Sequence, residues 1–89
     1  MKCFKITISG KVQGVGFRYS AKSMARALGI RGIVKNLPYN EVYIEAEGTD
    51  LQLEEFIKWC KTGPEYARVT NTLIFECELK GYTSFEIVH

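Results

Sequence analysis

Histidine is nearly absent from this chain, because His89 at the C-terminus is the only one. A serine or cysteine nucleophile therefore has no imidazole base within the sequence, which argues against covalent hydrolase chemistry. Long apolar runs are also absent: no stretch approaches the ~20 residues of a membrane-spanning helix. Lys5 and Thr7 interrupt any apolar signal-like start. We therefore expect a cytoplasmic protein with no membrane partner.

Paired cysteines and a large net charge are missing too. Cys3, Cys60 and Cys77 are odd in number and lack the short paired spacing of a zinc site or redox motif. We expect free thiols, and one disulfide with a leftover thiol is the alternative. The net charge of +2 and the scattered basic residues argue against a dedicated nucleic-acid binder. No nucleic-acid partner is expected.

Proline and glycine are too sparse for a disordered or fibrous chain, with two and eight residues respectively. The remaining composition, 46% hydrophobic and 25% charged, is typical of a globular protein. A chain of 89 residues can bury one core and leaves no room for a second domain. We predict a single domain over residues 1–89.

The chain does contain a regular alternation of strand-like and helix-like segments. Apolar residues at every second position predict a strand around residues 4–8, and apolar spacings of three and four predict a helix over 17–28. A capping box at 49–52 begins a second helix, which Gly63-Pro64 ends. Further strands are predicted over 32–36, 42–47, 67–78 and 85–87, with a turn at 37–41.

The predicted order is βαββαβ with one short extra edge strand. Right-handed crossovers place both helices of such a chain on the same face of one sheet. We therefore predict an α+β fold, a ferredoxin-like α/β sandwich with a mostly antiparallel sheet and two helices on one face.

The segment between the first strand and the first helix is chemically the most informative. Its sequence over residues 10–18 is Gly-Lys-Val-Gln-Gly-Val-Gly-Phe-Arg. Two glycines two apart let backbone N–H groups turn inward, and Arg18 enters the first helical turn, where the amides and the helix dipole favour an anion. The guanidinium can meet two phosphate oxygens while the amides of 14–18 meet the others. An anion cradle is predicted; the alternative is a tight turn followed by a surface arginine.

The glutamates suggest no chemistry of their own. Their strand-alternate or helix-face positions predict solvated surface for Glu45, Glu47, Glu54, Glu55, Glu76 and Glu78. No acid pair or metal cluster stands out, so no metal is expected.

The nine-residue string over 10–18 closely resembles the signature of the acylphosphatases, small enzymes in which strand, loop and helix have this same order. Residues 27–36, Ala-Leu-Gly-Ile-Arg-Gly-Ile-Val-Lys-Asn, resemble that family's second motif. Residues 63–69, Gly-Pro-Glu-Tyr-Ala-Arg-Val, resemble its third motif, and 84–87, Ser-Phe-Glu-Ile, resemble its ending. The resemblance covers essentially the whole chain.

This resemblance implies that a monomer hydrolyses the carboxyl–phosphate bond of small acyl phosphates to carboxylate and inorganic phosphate, with no metal and no cofactor. Arg18 and Asn36 are then the expected catalytic residues. Arg18 would hold the phosphoryl group, and Asn36 would position the attacking water. The expected substrate-binding residues are Gln13, Gly14, Val15, Gly16, Phe17 and Arg18.

The chain departs from the family pattern at a few positions. Ile33 stands where an aromatic is frequent and Lys35 where arginine is common, and both are interpreted as packing or surface changes. Tyr39-Asn40 replaces the usual Asp-Gly of the hairpin turn. Because asparagine tolerates positive φ better than tyrosine does, we expect a different turn type, which affects how Asn36 is held.

Two other functions remain as alternatives. One is a catalytically silent phosphate-binding module on the same fold. The other is a single-stranded nucleic-acid binder that stacks bases on sheet aromatics such as Tyr43, although the basic-Gly-aromatic string of such sheets is missing.

Overall fold

The computed structural model describes residues 1–89 as five strands and two helices. The strands are β1 (Lys2–Lys11), β2 (Arg31–Leu37), β3 (Glu41–Gly48), β4 (Arg68–Cys77) and β5 (Phe85–Ile87), and the helices are α1 (Phe17–Leu28) and α2 (Asp50–Cys60). Every predicted element is present, and α1 has the predicted bounds. Neither helix is long and apolar enough to cross a membrane.

The sheet has the order β4-β1-β3-β2-β5. All neighbouring strands pair antiparallel except β2 and β5, which are parallel. This confirms the ferredoxin-like fold. Ser9 of β1 and Leu37 of β2 both pair with Glu41 of β3, so β1 and β2 run in the same direction with Ser9 and Leu37 at the same level. The loop after β1 and the last residues of β2 therefore lie at the same end of the sheet.

One hydrophobic core joins the helices to one face of the sheet. Alternate residues of β1 and β3 point into the core and each helix buries one stripe, as period-two and period-3.6 patterns require. The core members on β1, β3, α1 and α2 are Ile6, Ile8, Val42, Ile44, Ala46, Phe17, Ala21, Ala25, Leu53, Phe56 and Cys60. The predicted capping box of α2 is also present: the Gln52 N–H donates to Thr49 Oγ1 at 3.2 Å, and the Thr49 N–H donates to Gln52 Oε1 at 2.9 Å.

The turn between β2 and β3 has positive φ at two successive residues, 63° at Tyr39 and 61° at Asn40. The last strand pair is Leu37 with Glu41, so the loop has three residues. Positive φ in such hairpin loops is usual for glycine and asparagine. Tyrosine thus adopts the left-handed conformation here despite its Cβ, and its side chain is 96% exposed. The strain at Tyr39 is therefore not offset by packing of the ring.

The prediction that Glu45 and Glu47 lie on a solvated surface is wrong. Their exposed fractions are 6% and 2%. They lie on the face of the sheet away from the helices, and the segment between β4 and β5 covers them. The backbone N–H groups of Lys80 and Tyr82 donate to the Glu47 carboxylate at 2.6 and 3.1 Å. Burial is possible because every carboxylate finds donors in that segment.

Glu45 is held by three side-chain donors. The Tyr43 and Tyr82 hydroxyls each donate to its carboxylate at 2.6 Å, and Lys80 Nζ forms an ion pair with it. Burial alone would raise the pKa of Glu45, but the hydrogen bonds from Lys80, Tyr43 and Tyr82 lower that pKa to about 2. The carboxylate is therefore charged throughout the neutral range. The other four glutamates of the predicted surface set are exposed, as expected.

All three cysteines are free thiols. Cys3 and Cys77 are direct partners in the β1–β4 ladder. Burial and a hydrogen bond with Cys77 raise the pKa of Cys3 to about 12, and burial raises the pKa of Cys60 as well. Both buried thiols are therefore protonated and poorly nucleophilic at neutral pH.

Candidate active site

The loop between β1 and α1, residues 12–16, is the cradle loop. It is anchored at each end by a buried apolar side chain, because Val12 is 1% exposed and Phe17 is 2% exposed. Gly14 and Gly16 have φ values of 73° and 75°. Left-handed glycines alternating with Val15 direct successive N–H groups to one side, the geometry of an anion-binding nest.

The backbone donors of this loop are unpaired. No backbone N–H from Gly14 to Tyr19 donates a hydrogen bond within the protein, and α1 has no side-chain N-cap. The first intrahelical bond runs from the Ser20 N–H to the Gly16 carbonyl at 3.0 Å. These free N–H groups sit at the positive end of the α1 dipole, so the site favours an anion.

Glycine is needed at positions 14 and 16 for its backbone conformation and not because neighbouring atoms leave no room for a side chain. A Cβ built on Gly14 or Gly16 would meet no atom within 4 Å. The space that it would enter is open, so the constraint at both positions is the positive φ. Chain geometry therefore explains both glycines of the predicted cradle.

Arg18, in the first turn of α1, lines the same cavity as the two glycines. The cavity has a volume of about 140 Å³ and is lined by Val12, Gln13, Gly14, Gly16, Phe17, Arg18, Tyr19 and Asn36. Arg18 Nη1 lies 3.4 Å from Nδ1 of His89, and no carboxylate pairs with the guanidinium. The positive charge is therefore available to a ligand.

Asn36 is the last residue but one of β2 and lines the same cavity as Arg18 and the cradle loop. It is exposed, and its carboxamide makes no hydrogen bond within the protein. The amide can therefore donate to and accept from a water molecule or substrate in the cavity. The structure thus brings together the two predicted catalytic residues, Arg18 and Asn36.

The other predicted binding residues contribute in different ways. Val15 does not line the cavity, since its side chain packs against the core. Phe17 is buried, with its ring centroid 5.3 Å from that of Trp59. The side-chain Nε2 of Gln13 uses its hydrogens on Leu37 and Glu41 carbonyls. Only backbone N–H groups of these three residues remain as donors to a ligand.

Sequence reasoning missed Tyr19, which lines the cavity and is 74% exposed. Its position next to Arg18 in the first helical turn was the available signal. The exposed ring of Tyr19 provides apolar area beside the cradle loop.

A larger cavity of about 340 Å³ lies between α1 and α2. It is lined by Met24, Leu28, Glu55, Lys58, Trp59 and Thr62. This groove lacks the free backbone donors of the cradle loop, so size does not identify the site. No group of three or more His, Cys, Asp or Glu side chains is arranged to hold a metal ion.

The whole chain is similar to known proteins. The acylphosphatase family model matches residues 4–87. The chain belongs to the acylphosphatase family. An acylphosphatase of Archaeoglobus fulgidus is 46% identical over 89 residues, which is all of both chains. The crystal structure of an acylphosphatase from Bacillus subtilis matches with a TM-score of 0.97 at 37% identity, also over all of both chains.

A second kind of relative is much longer. The full-length HypF structure, in a phosphate- and nucleotide-bound form, matches with a TM-score of 0.92 at 36% identity. That match covers 99% of this chain and 12% of HypF. The same fold therefore occurs as a small part of a large protein, whereas the acylphosphatases described above match this chain end to end. The full-length matches to proteins named acylphosphatase identify this chain as an acylphosphatase.

Proposed function

We propose that this acylphosphatase acts on small acyl phosphates through the cavity that Arg18, the cradle loop and Asn36 line. The observation that carries the proposal is the set of unpaired N–H groups from Gly14 to Tyr19 beside a guanidinium that no carboxylate pairs with. Together they offer more donors than a phosphoryl group has equatorial oxygens. Charge building on those oxygens is neutralised without a metal ion.

Asn36 orients the attacking water in line with the bond that breaks. Its amide is too weak a base to take the proton fully, and a loose phosphoryl transition state asks mainly for orientation. The water oxygen bonds to phosphorus, and the P–O bond to the acyl group breaks with its electron pair on the carboxylate. The water proton passes to a phosphate oxygen, so the products are a carboxylate and inorganic phosphate.

The leaving group explains why no internal histidine is needed. A carboxylate is the base of an acid with a pKa of ~4, so it departs without a general acid. An alkoxide departs far less readily. The enzyme is therefore proposed to cleave acyl phosphates and to spare alkyl phosphomonoesters, and to act as a monomer without a metal.

The test compares hydrolysis of benzoyl phosphate with hydrolysis of an alkyl phosphomonoester. Arg18→Ala is expected to lower kcat/KM by roughly a thousandfold or more, since it removes the charged donor of the transition state. Asn36→Ala is expected to lower kcat while inhibition by inorganic phosphate is retained. Chelation by EDTA is expected to leave the rate unchanged.

Two matched variants serve as controls. Arg26→Ala removes an exposed arginine of α1 that pairs with Glu86 outside the cavity, and Asn71→Ala removes an exposed asparagine of β4. Both are expected to retain full activity. Phosphate binding without turnover in the unaltered protein would favour the silent module, and equal cleavage of the two substrates would contradict the account of the leaving group.

A further inference from the structure

Gln13 connects the cradle loop to the β2–β3 hairpin. Its side-chain Nε2 donates to the Leu37 carbonyl at 2.7 Å and to the Glu41 carbonyl at 2.9 Å. The carboxamide nitrogen has two hydrogens, and both are used. The side chain therefore acts as a bridge between two parts of the chain that lie far apart in sequence.

The two acceptors mark the closed end of the hairpin. Leu37 and Glu41 are register partners, and the next pair toward the sheet is Asn36 with Val42. The bridge therefore ends on the residue that follows Asn36 and on the residue directly across from it. A shift of the hairpin end relative to the loop would move the Asn36 side chain with it.

No other hydrogen bond joins the cradle loop to β2. Ser9, at the end of β1, donates to Glu41 Oε2 at 3.0 Å, but this bond ends on a flexible side chain. Asn36 itself has no side-chain partner in the protein. Its placement relative to Gly14 and Arg18 therefore depends on the backbone of β2, which pairs with β3 and which the Gln13 side chain ties to the cradle loop.

We propose that Gln13 is a positioning residue, which holds Asn36 at the correct distance from the phosphate cradle through its bonds to Leu37 and Glu41. The inference rests on the proposed role of Asn36 in orienting water. It assigns to the Gln13 side chain a task other than contact with the substrate. The expected signature is a loss of turnover without a matching loss of phosphate affinity.

Gln13→Met is the informative variant, because methionine has a similar length and no donor. Its kcat on benzoyl phosphate is expected to fall roughly tenfold to a hundredfold, because a small misplacement of a reacting group has an effect of that order. The inhibition constant of inorganic phosphate is expected to stay nearly unchanged. Gln13→Leu, which also lacks the two N–H donors and carries no charge, is expected to behave alike and guards against a folding failure of one variant.

A double variant separates positioning from general damage to the structure. In an Asn36→Ala background, adding Gln13→Met is expected to cost little further kcat, because no side chain remains to be positioned. Ser9→Ala, which removes the neighbouring bond to the Glu41 side chain, is the control and is expected to retain kcat.

Three results would each overturn the inference. They are an undiminished kcat in both Gln13 variants, a full further loss of kcat in the Asn36→Ala background, and a loss of phosphate affinity that parallels the loss of kcat. Failure of the unaltered protein or of Asn36→Ala to behave as proposed would instead refute the proposed function. The two failures are therefore distinguishable.

Discussion

Replacing Glu45 with glutamine tests the buried cluster on the face of the sheet away from the helices. In the folded protein, burial raises the pKa of Glu45, but hydrogen bonds from Lys80, Tyr43 and Tyr82 lower it from an ordinary 4.5 to about 2. A carboxylate with a lower pKa in the folded state stabilises that state fully above its unfolded pKa. The contribution is lost as the pH falls from about 4.5 through about 2.

The size of this contribution follows from the two pKa values. A difference between 4.5 and about 2 corresponds to about 3 kcal/mol of unfolding free energy. The total free energy of unfolding of a small domain is only ~5–15 kcal/mol, so this one carboxylate contributes a large share of the stability. The difference in stability between the unaltered protein and Glu45→Gln is therefore expected to shrink by about 3 kcal/mol between neutral pH and pH 2.

Urea unfolding at a series of pH values measures this difference. The fluorescence of Trp59, whose ring packs against Phe17 and Phe56, reports loss of the core. Glu76→Gln alters an exposed glutamate of β4 and is expected to follow the unaltered protein. Parallel pH profiles for the unaltered protein and Glu45→Gln would refute the reasoning, because the other titrating groups are common to both.

Two further predictions concern the turn and the thiols. Tyr39→Gly is expected to raise the unfolding free energy by about 1 kcal/mol, because a left-handed conformation is costly for a residue with Cβ and the ring is 96% exposed; a loss in urea unfolding would show that the ring contributes contacts. In thiol labelling, the half-buried Cys77 is expected to react in the folded protein, and the buried Cys60 only after unfolding. Equal labelling rates of Cys77 and Cys60 in the folded protein would contradict their different burial.

Much of the fold was predictable because local chemistry and the global arrangement agree. The capping box at Thr49 and the glycines of the cradle loop each require one backbone conformation, and the structure has it. Arg18 lines the cavity because it lies in the first turn of α1, next to the cradle loop. These features depend on residues near one another in sequence.

The features that the sequence did not predict depend on contacts between segments that are distant in sequence. Glu45 and Glu47 were predicted to be solvated because the alternation along a strand shows which face of the sheet a side chain occupies but not which segment covers that face. The covering residues, Lys80 and Tyr82, lie in a segment without periodicity. The partners of Gln13 were unpredictable for the same reason, since the position of the hairpin carbonyls is set by strand register.

The interior position of β1 in the sheet governs when the protein can fold during its synthesis. β1 lies between β3 and β4, and β4 is translated long after β1 has left the ribosome. Until then, one side of β1 has unsatisfied backbone groups, and pairing between such remote strands is slow. The cradle loop is therefore made early, but it gains its supported form only after β4 has emerged.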